Sequence, residues 1–160
     1  MQVDVVLSET VQPLKKARAG DAGYDLTSTT SLKLEPLSRG VVETGVRLAM
    51  PEGVCALVLP RSGLALKHGV TVMNSPGLID SGYRGEIKVV LFNSDKDNAF
   101  VVEEGDRIAQ LVFVSYPEVY FRVVNALEAS ERGEGGFGHS GIRELPLLDR
   151  SMNEGLGGPL

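Results

Sequence analysis

The chain has 160 residues, a length that suits one domain with a sizeable core. Hydrophobic residues make up 42% and charged residues 23%, which is ordinary for a soluble globular protein. The formal net charge is −5 with no long basic run, which argues against a nucleic-acid partner, because duplex binding needs a basic face.

The N-terminal "MQVDVVLSET" has neither a basic region nor a long apolar stretch, so no signal peptide is expected. No stretch approaches the ~18 consecutive apolar residues of a membrane span, and a cytoplasmic protein is the simplest reading. The first strand is expected at 2–8. "DAGYDL" (21–26) then sets Asp25 among small residues. Asp25 reads either as an Asx turn or as a lone carboxylate that meets Mg²⁺ through water. Further strands are expected at 31–36, 41–50 and 53–60. The last of these carries Cys55, the only cysteine, which reads as a buried inert thiol and rules out an internal disulfide.

"LPRSGLALKHG" (59–69) ends that strand and opens the one short helix, 62–68, with Ser62 as its N-cap. Arg61 is either a surface arginine or a phosphate ligand assisted by the Ser62 hydroxyl and the first helical N–H groups. His68 reads as solvated or structural. After a strand at 70–74, "NSPGLIDSGYRGEIKV" (74–89) reads as a tight hairpin with Asp80 at its rim, beside Tyr83 and Asn74. Strands follow at 85–93, 99–105, 107–114 and 119–124. In "EEGDRIAQLVF" (103–113), Arg107 and Gln110 pair with acidic neighbours or reach a ligand.

"RGEGGFGHSG" (132–141) contains the spelling G-x-G-x-x-G at Gly136, Gly138 and Gly141. A dinucleotide fingerprint needs a helix and a second strand after it, and only 19 residues remain, so that reading fails. A Gly-rich loop that also holds Arg132, Phe137 and Ser140 instead suits nucleotide recognition by a closing flap. Its backbone N–H groups and Arg132 would meet phosphate, and Phe137 would stack on a base. Residues 142–160 lack periodicity and are expected to form a flexible or partner-docked tail. The whole reads as one all-β domain over 1–141.

Five segments, "AGYDL", "PRSGLALKHG", "GLIDSGYRGEIKV", "GDRIAQLVF" and "RGEGGFGHSG", resemble in identity and order the motifs of the trimeric dUTP diphosphatases (dUTPases). The resemblance runs from about residue 20 to 141. It implies a jelly-roll-like β-clip subunit, a homotrimer with shared sites, and Mg²⁺-assisted hydrolysis of dUTP to dUMP and pyrophosphate. Such activity limits uracil incorporation into DNA and supplies dUMP for thymidylate synthesis.

Mapped motif by motif, the resemblance gives Asp25 a metal through water, and Arg61, Ser62 and Gly63 the phosphates. Asn74, Leu78, Ile79 and Asp80 would cradle uracil, with Lys88 on the adjoining strand. Tyr83 would pack on deoxyribose and leave no room for a 2′-hydroxyl, and Asp80 would orient the attacking water. Gln110 would contact phosphate, and Arg132, Phe137, Gly138 and Ser140 would close over base and phosphates. His139 stands where many members carry a hydroxyl residue. Two other readings share the fold: a regulatory nucleotide-binding protein without catalysis, and a dCTP deaminase. The second is disfavoured because Val90 occupies the position of its catalytic glutamate, and an aliphatic side chain relays no protons.

Overall fold

A computed structural model of the chain describes residues 1–135. The chain divides into two units, Met1–Val119 and Tyr120–Leu160. The first is built of eleven strands and one helix: β1 (Asp4–Leu7), β2 (Tyr24–Thr27), β3 (Leu32–Leu34), β4 (Arg39–Glu43), β5 (Val46–Ala49), β6 (Val54–Pro60), α1 (Ser62–His68), β7 (Val70–Val72), β8 (Gly77–Ile79), β9 (Lys88–Asn93), β10 (Phe100–Val102) and β11 (Arg107–Ser115).

All pairings are antiparallel. The largest sheet has the order β2-β11-β6-β8, and a second has the order β4-β9-β7. The ribbons β1-β5 and β10-β3 complete the set. Alternation decides which face is buried. In β9, Val89, Leu91 and Asn93 point inward while Lys88 is exposed, as the two-residue period of a half-buried strand requires. Leu26, Leu34, Val42, Val46, Val58, Val72, Ile87, Val102, Ile108 and Leu111 fill one continuous core with them. Among these apolar side chains, buried Asn93 donates to the carbonyls of Leu34, Glu35 and Asn98 and accepts from the Asp95 N–H. Both ends of its amide are thereby satisfied, as burial of a polar group demands.

Several expectations need correction. The run 41–50 is two strands, because Gly45 adopts φ +66° and breaks it. The segment 74–89 is not a two-stranded hairpin. Its strand β8 pairs with β6, whereas β9 pairs with β4 and β7, so residues 80–87 carry the chain from one sheet to the other. Ser62 is the first helical residue rather than the cap; Arg61 holds the cap position without a side-chain bond to the helix. The helix ends on Gly69, left-handed at φ 65°, whose N–H returns to the last turn. No strand forms over 119–124 among the described residues, and β2 and β8 were not expected as strands. The 142–160 tail lies outside the described residues.

Candidate active site

Two clusters of polar side chains form, and β6 connects them. The first gathers where β2, β11 and the end of β6 adjoin. Gln110 is the register partner of Asp25 across β11 and β2, and the ladder slips by one residue between Arg107 and Ala109. Such a bulge re-aims the side chains beside it. Here Arg107 Nη1 reaches Asp25 Oδ2 at 3.1 Å. Arg61 Nε lies 3.4 Å from Asp25 Oδ1, and Arg61 Nη1 donates to the Arg107 carbonyl at 2.8 Å. Asp25 is therefore flanked by two guanidiniums and is not an Asx turn. Its Oδ1 is buried and accepts no hydrogen bond. Ser62 and Gly63 open the helix immediately after Arg61 and are exposed.

The second cluster lies along β8 and the crossing that follows it. Leu78, Ile79, Asp80, Tyr83, Glu86, Ile87 and Lys88 line one open cleft. Asp80 is exposed in it, and its carbonyl accepts the Tyr83 N–H at 3.0 Å, which closes a turn. The Tyr83 hydroxyl donates to the Glu86 carbonyl at 3.0 Å. The Glu86 carboxylate in turn accepts the N–H groups of Gly45 at 2.7 Å and Thr44 at 3.2 Å. Lys88 makes a 2.6 Å ion pair with Glu43, its register partner on β4. That bond holds the Lys88 ammonium above its ordinary pKa. Asn74 is exposed before the cis Ser75–Pro76 bond, close to Gly77.

The two clusters lie toward opposite ends of β6. Ile79 is opposite Ala56, and β8 runs antiparallel, so Asp80 lies still farther from Arg61. Five steps of extended strand lead from Ala56 to Arg61, about 17 Å. Arg132 lies in the second unit, where its Nε donates to the Gly135 carbonyl at 3.0 Å. Phe137, Gly138, His139 and Ser140 lie outside the described residues. Glu43, Gly85 and Glu86 had no role in the sequence reading. Their partners are more than forty residues away or depend on ring placement, and no local pattern signals either.

A family model described as dUTPase matches residues 9–141. A deoxyuridine 5'-triphosphate nucleotidohydrolase of Bifidobacterium longum subsp. infantis is 54% identical over 129 residues, 81% of this chain and 82% of that protein. One of the same name from Cutibacterium acnes is 46% identical over 149 residues, covering 91% and 98%. Among solved structures, the Staphylococcus bacteriophage 80alpha dUTPase with dUPNHPP superposes at a TM-score of 0.82 with 31% identity, over 88% of this chain and 99% of that one. A mutant dUTPase from phage phi11 of S. aureus, described with a structural Mg(II) ion, gives 0.74 and 26% over 81% and 100%.

Proposed function

The chain belongs to the dUTPase family and hydrolyses dUTP to dUMP and pyrophosphate on an all-β fold, and from that premise we propose which of its residues carry each part of the reaction. Asp80 orients a water against the α-phosphorus and takes its proton. The new P–O bond forms as the bond to the β-phosphate bridging oxygen breaks, and pyrophosphate leaves. Uracil lies against Asn74 and the backbone of Leu78 and Ile79, with Lys88 at the rim. Tyr83 covers the deoxyribose face, where a 2′-hydroxyl would collide. Arg61, Ser62, Gly63 and Gln110 take the phosphates, and Arg132, Phe137, Gly138 and Ser140 close over them. Preformed donors of this kind stabilise charge as it develops on the phosphate oxygens.

The observation that carries this reading is the cleft that joins Asp80, Tyr83 and the β8 backbone. A carboxylate, an aromatic side chain and the outer strand of its sheet, β8, meet at this one cleft. Arg61 is supported by its own framework, since the Arg107 carbonyl and Asp25 fix its guanidinium before any phosphate arrives.

The residues also suit Mg²⁺ brought by the triphosphate. Asp25 Oδ1 is a buried oxygen without a hydrogen-bond partner, available to a metal-bound water. No group of three or more metal-binding side chains occurs among the described residues; an Mg²⁺ ion would be held mainly by phosphates and water. When bound, the ion would neutralise phosphate charge.

The separation of the two clusters along β6 supports a homotrimer in which each site draws the Asp25–Arg61 cluster, the Asp80 cleft and the flap from different subunits. Exposed Leu66 on α1 suits burial in such an assembly. No helix of the described residues is long and apolar enough to cross a membrane, and a cytoplasmic enzyme of nucleotide metabolism is the natural setting.

The test compares pyrophosphate release from dUTP, dTTP, dCTP and UTP. Only dUTP should turn over well. Asp80→Asn should slow turnover by about 10²–10⁴-fold while dUTP binding stays measurable by calorimetry. Unchanged turnover in that variant would overturn the role of Asp80.

A further inference from the structure

Tyr83 does not hold its position by its own rotamer alone. Three features converge on its ring. Its hydroxyl donates to the Glu86 backbone carbonyl at 3.0 Å. Glu86 is immobilised by its own carboxylate, which accepts the N–H groups of Gly45 and Thr44 from the turn between β4 and β5. Gly85 supplies the space, because a Cβ there would lie 2.5 Å from Tyr83 Cζ and 2.9 Å from Cε2, with the hydroxyl closer still. Gly85 is not among the glycines with positive φ, so its backbone is one that alanine also adopts. What excludes a side chain at this position is the tyrosine ring.

We infer that Gly85 and Glu86 form a latch that positions Tyr83, and that this latch, rather than the presence of a tyrosine, sets how strictly the site rejects a ribonucleotide. The inference rests on the reading of Tyr83 as the wall against the sugar. A steric filter works only as far as its wall cannot yield. A hydroxyl at C2′ needs roughly one heavy-atom radius of extra space, and a ring free to tilt by that amount would admit it. The hydroxyl tether and the contact with Gly85 both oppose that tilt. The tether's far end is fixed through Glu86 to the β4–β5 turn, some forty residues earlier in the chain, so the wall is braced by the core rather than by its own loop. Glu86 also lines the cleft, but in this arrangement Gly85 and Glu86 act through Tyr83 rather than on the substrate. They are positioning residues, and their removal should relax selectivity before it abolishes turnover.

The experiment measures kcat and KM for dUTP and UTP with the full chain, after thermal melts show that each variant is folded. Tyr83→Phe deletes only the tether. It should raise the UTP-to-dUTP ratio of kcat/KM by about three- to tenfold, the range for one net hydrogen bond, chiefly through KM. Gly85→Ala displaces the ring and should raise the ratio at least as much. Glu86→Ala should act in the same direction, and Glu86→Gln should restore the wild-type ratio, because its amide oxygen still accepts the two N–H groups. A general loss of stability would lower kcat for both nucleotides and leave the ratio unmoved. Tyr83→Ala separates the two levels of the argument. If it relaxes the ratio while Tyr83→Phe and Gly85→Ala do not, the latch is overturned and the sugar wall stands. If Tyr83→Ala leaves the ratio unchanged, the sugar wall itself is wrong.

Discussion

Asp95 closes the turn after β9 with a single carboxylate. Its Oδ1 accepts the N–H groups of Asp97 at 2.8 Å and Asn98 at 2.9 Å, and the Asn98 amide adds a third donor. These donors favour the charged form, and they hold the Asp95 carboxyl below its ordinary pKa of 3.8. A carboxyl depressed in the folded state contributes stability above its unfolded pKa and loses it as pH falls through the folded one. Asp95→Ala should therefore melt below the wild type at neutral pH, and the gap should narrow as pH drops past 3.8. Parallel thermal melts across that range check it; a gap that persists unchanged in acid would refute the charge-based account.

Much at this scale was legible. Cys55 is buried as its apolar run implied, whereas Arg107, expected to pair with acidic neighbours or reach a ligand, pairs with a distant carboxylate. What the sequence hid was that the partner is Asp25, eighty-two positions away, and that Arg61 shares it. An Asx turn and an ion-paired strand residue look alike in one dimension, because the distinction is made by whichever arginine arrives from elsewhere.

At the scale of elements, alternation and turn residues located most strands, since a half-buried strand shows its period in its own residues. β2 and β8 escaped because each is set among turn residues rather than inside a longer apolar run: Tyr24–Thr27 follows a Gly-rich loop, and Gly77–Ile79 begins on a glycine. The run 119–124 has strand composition, yet a ladder needs an edge, and none pairs with it among the described residues. The break between β4 and β5 has a definite local cause. Gly45 sits at φ +66°, and a Cβ there would lie 2.8 Å from Val11 Cγ2 and closer still to the Ser8 hydroxyl. Its carbonyl accepts the Ser8 N–H at 2.9 Å, and its own N–H goes to Glu86. Left-handed backbone costs a non-glycine residue roughly 1–2 kcal/mol, and overpacking adds a further ~1–3 kcal/mol. Gly45→Ala should lose about 2–4 kcal/mol, read as a lower urea midpoint at constant slope. An unshifted midpoint would mean that the turn adapts at no cost.

At the scale of the whole molecule, and on the proposed roles, Arg61 and Asp80 would serve one substrate although extended β6 carries them apart. The Asp25–Arg61 cluster and the Asp80 cleft lie toward opposite ends of the same strand. Motif order by itself says nothing about which copy of the chain each motif serves, and only the family resemblance implies shared sites. If sites form between subunits, then Arg61→Ala and Asp80→Asn damage different halves of each site. Either variant alone leaves every site in its own assembly defective. When the two are unfolded together and refolded as a mixture, some sites will pair Arg61 from an Asp80→Asn subunit with Asp80 from an Arg61→Ala subunit. Those sites are intact, so pyrophosphate release from dUTP should reappear in the mixture although both parents lack it. Mixing the folded variants without unfolding should restore little, provided that subunits exchange slowly. If the co-refolded mixture stays as inactive as its parents while sedimentation shows mixed oligomers, each site must be assembled within one chain, and β6 would have to bend or the nucleotide span its length.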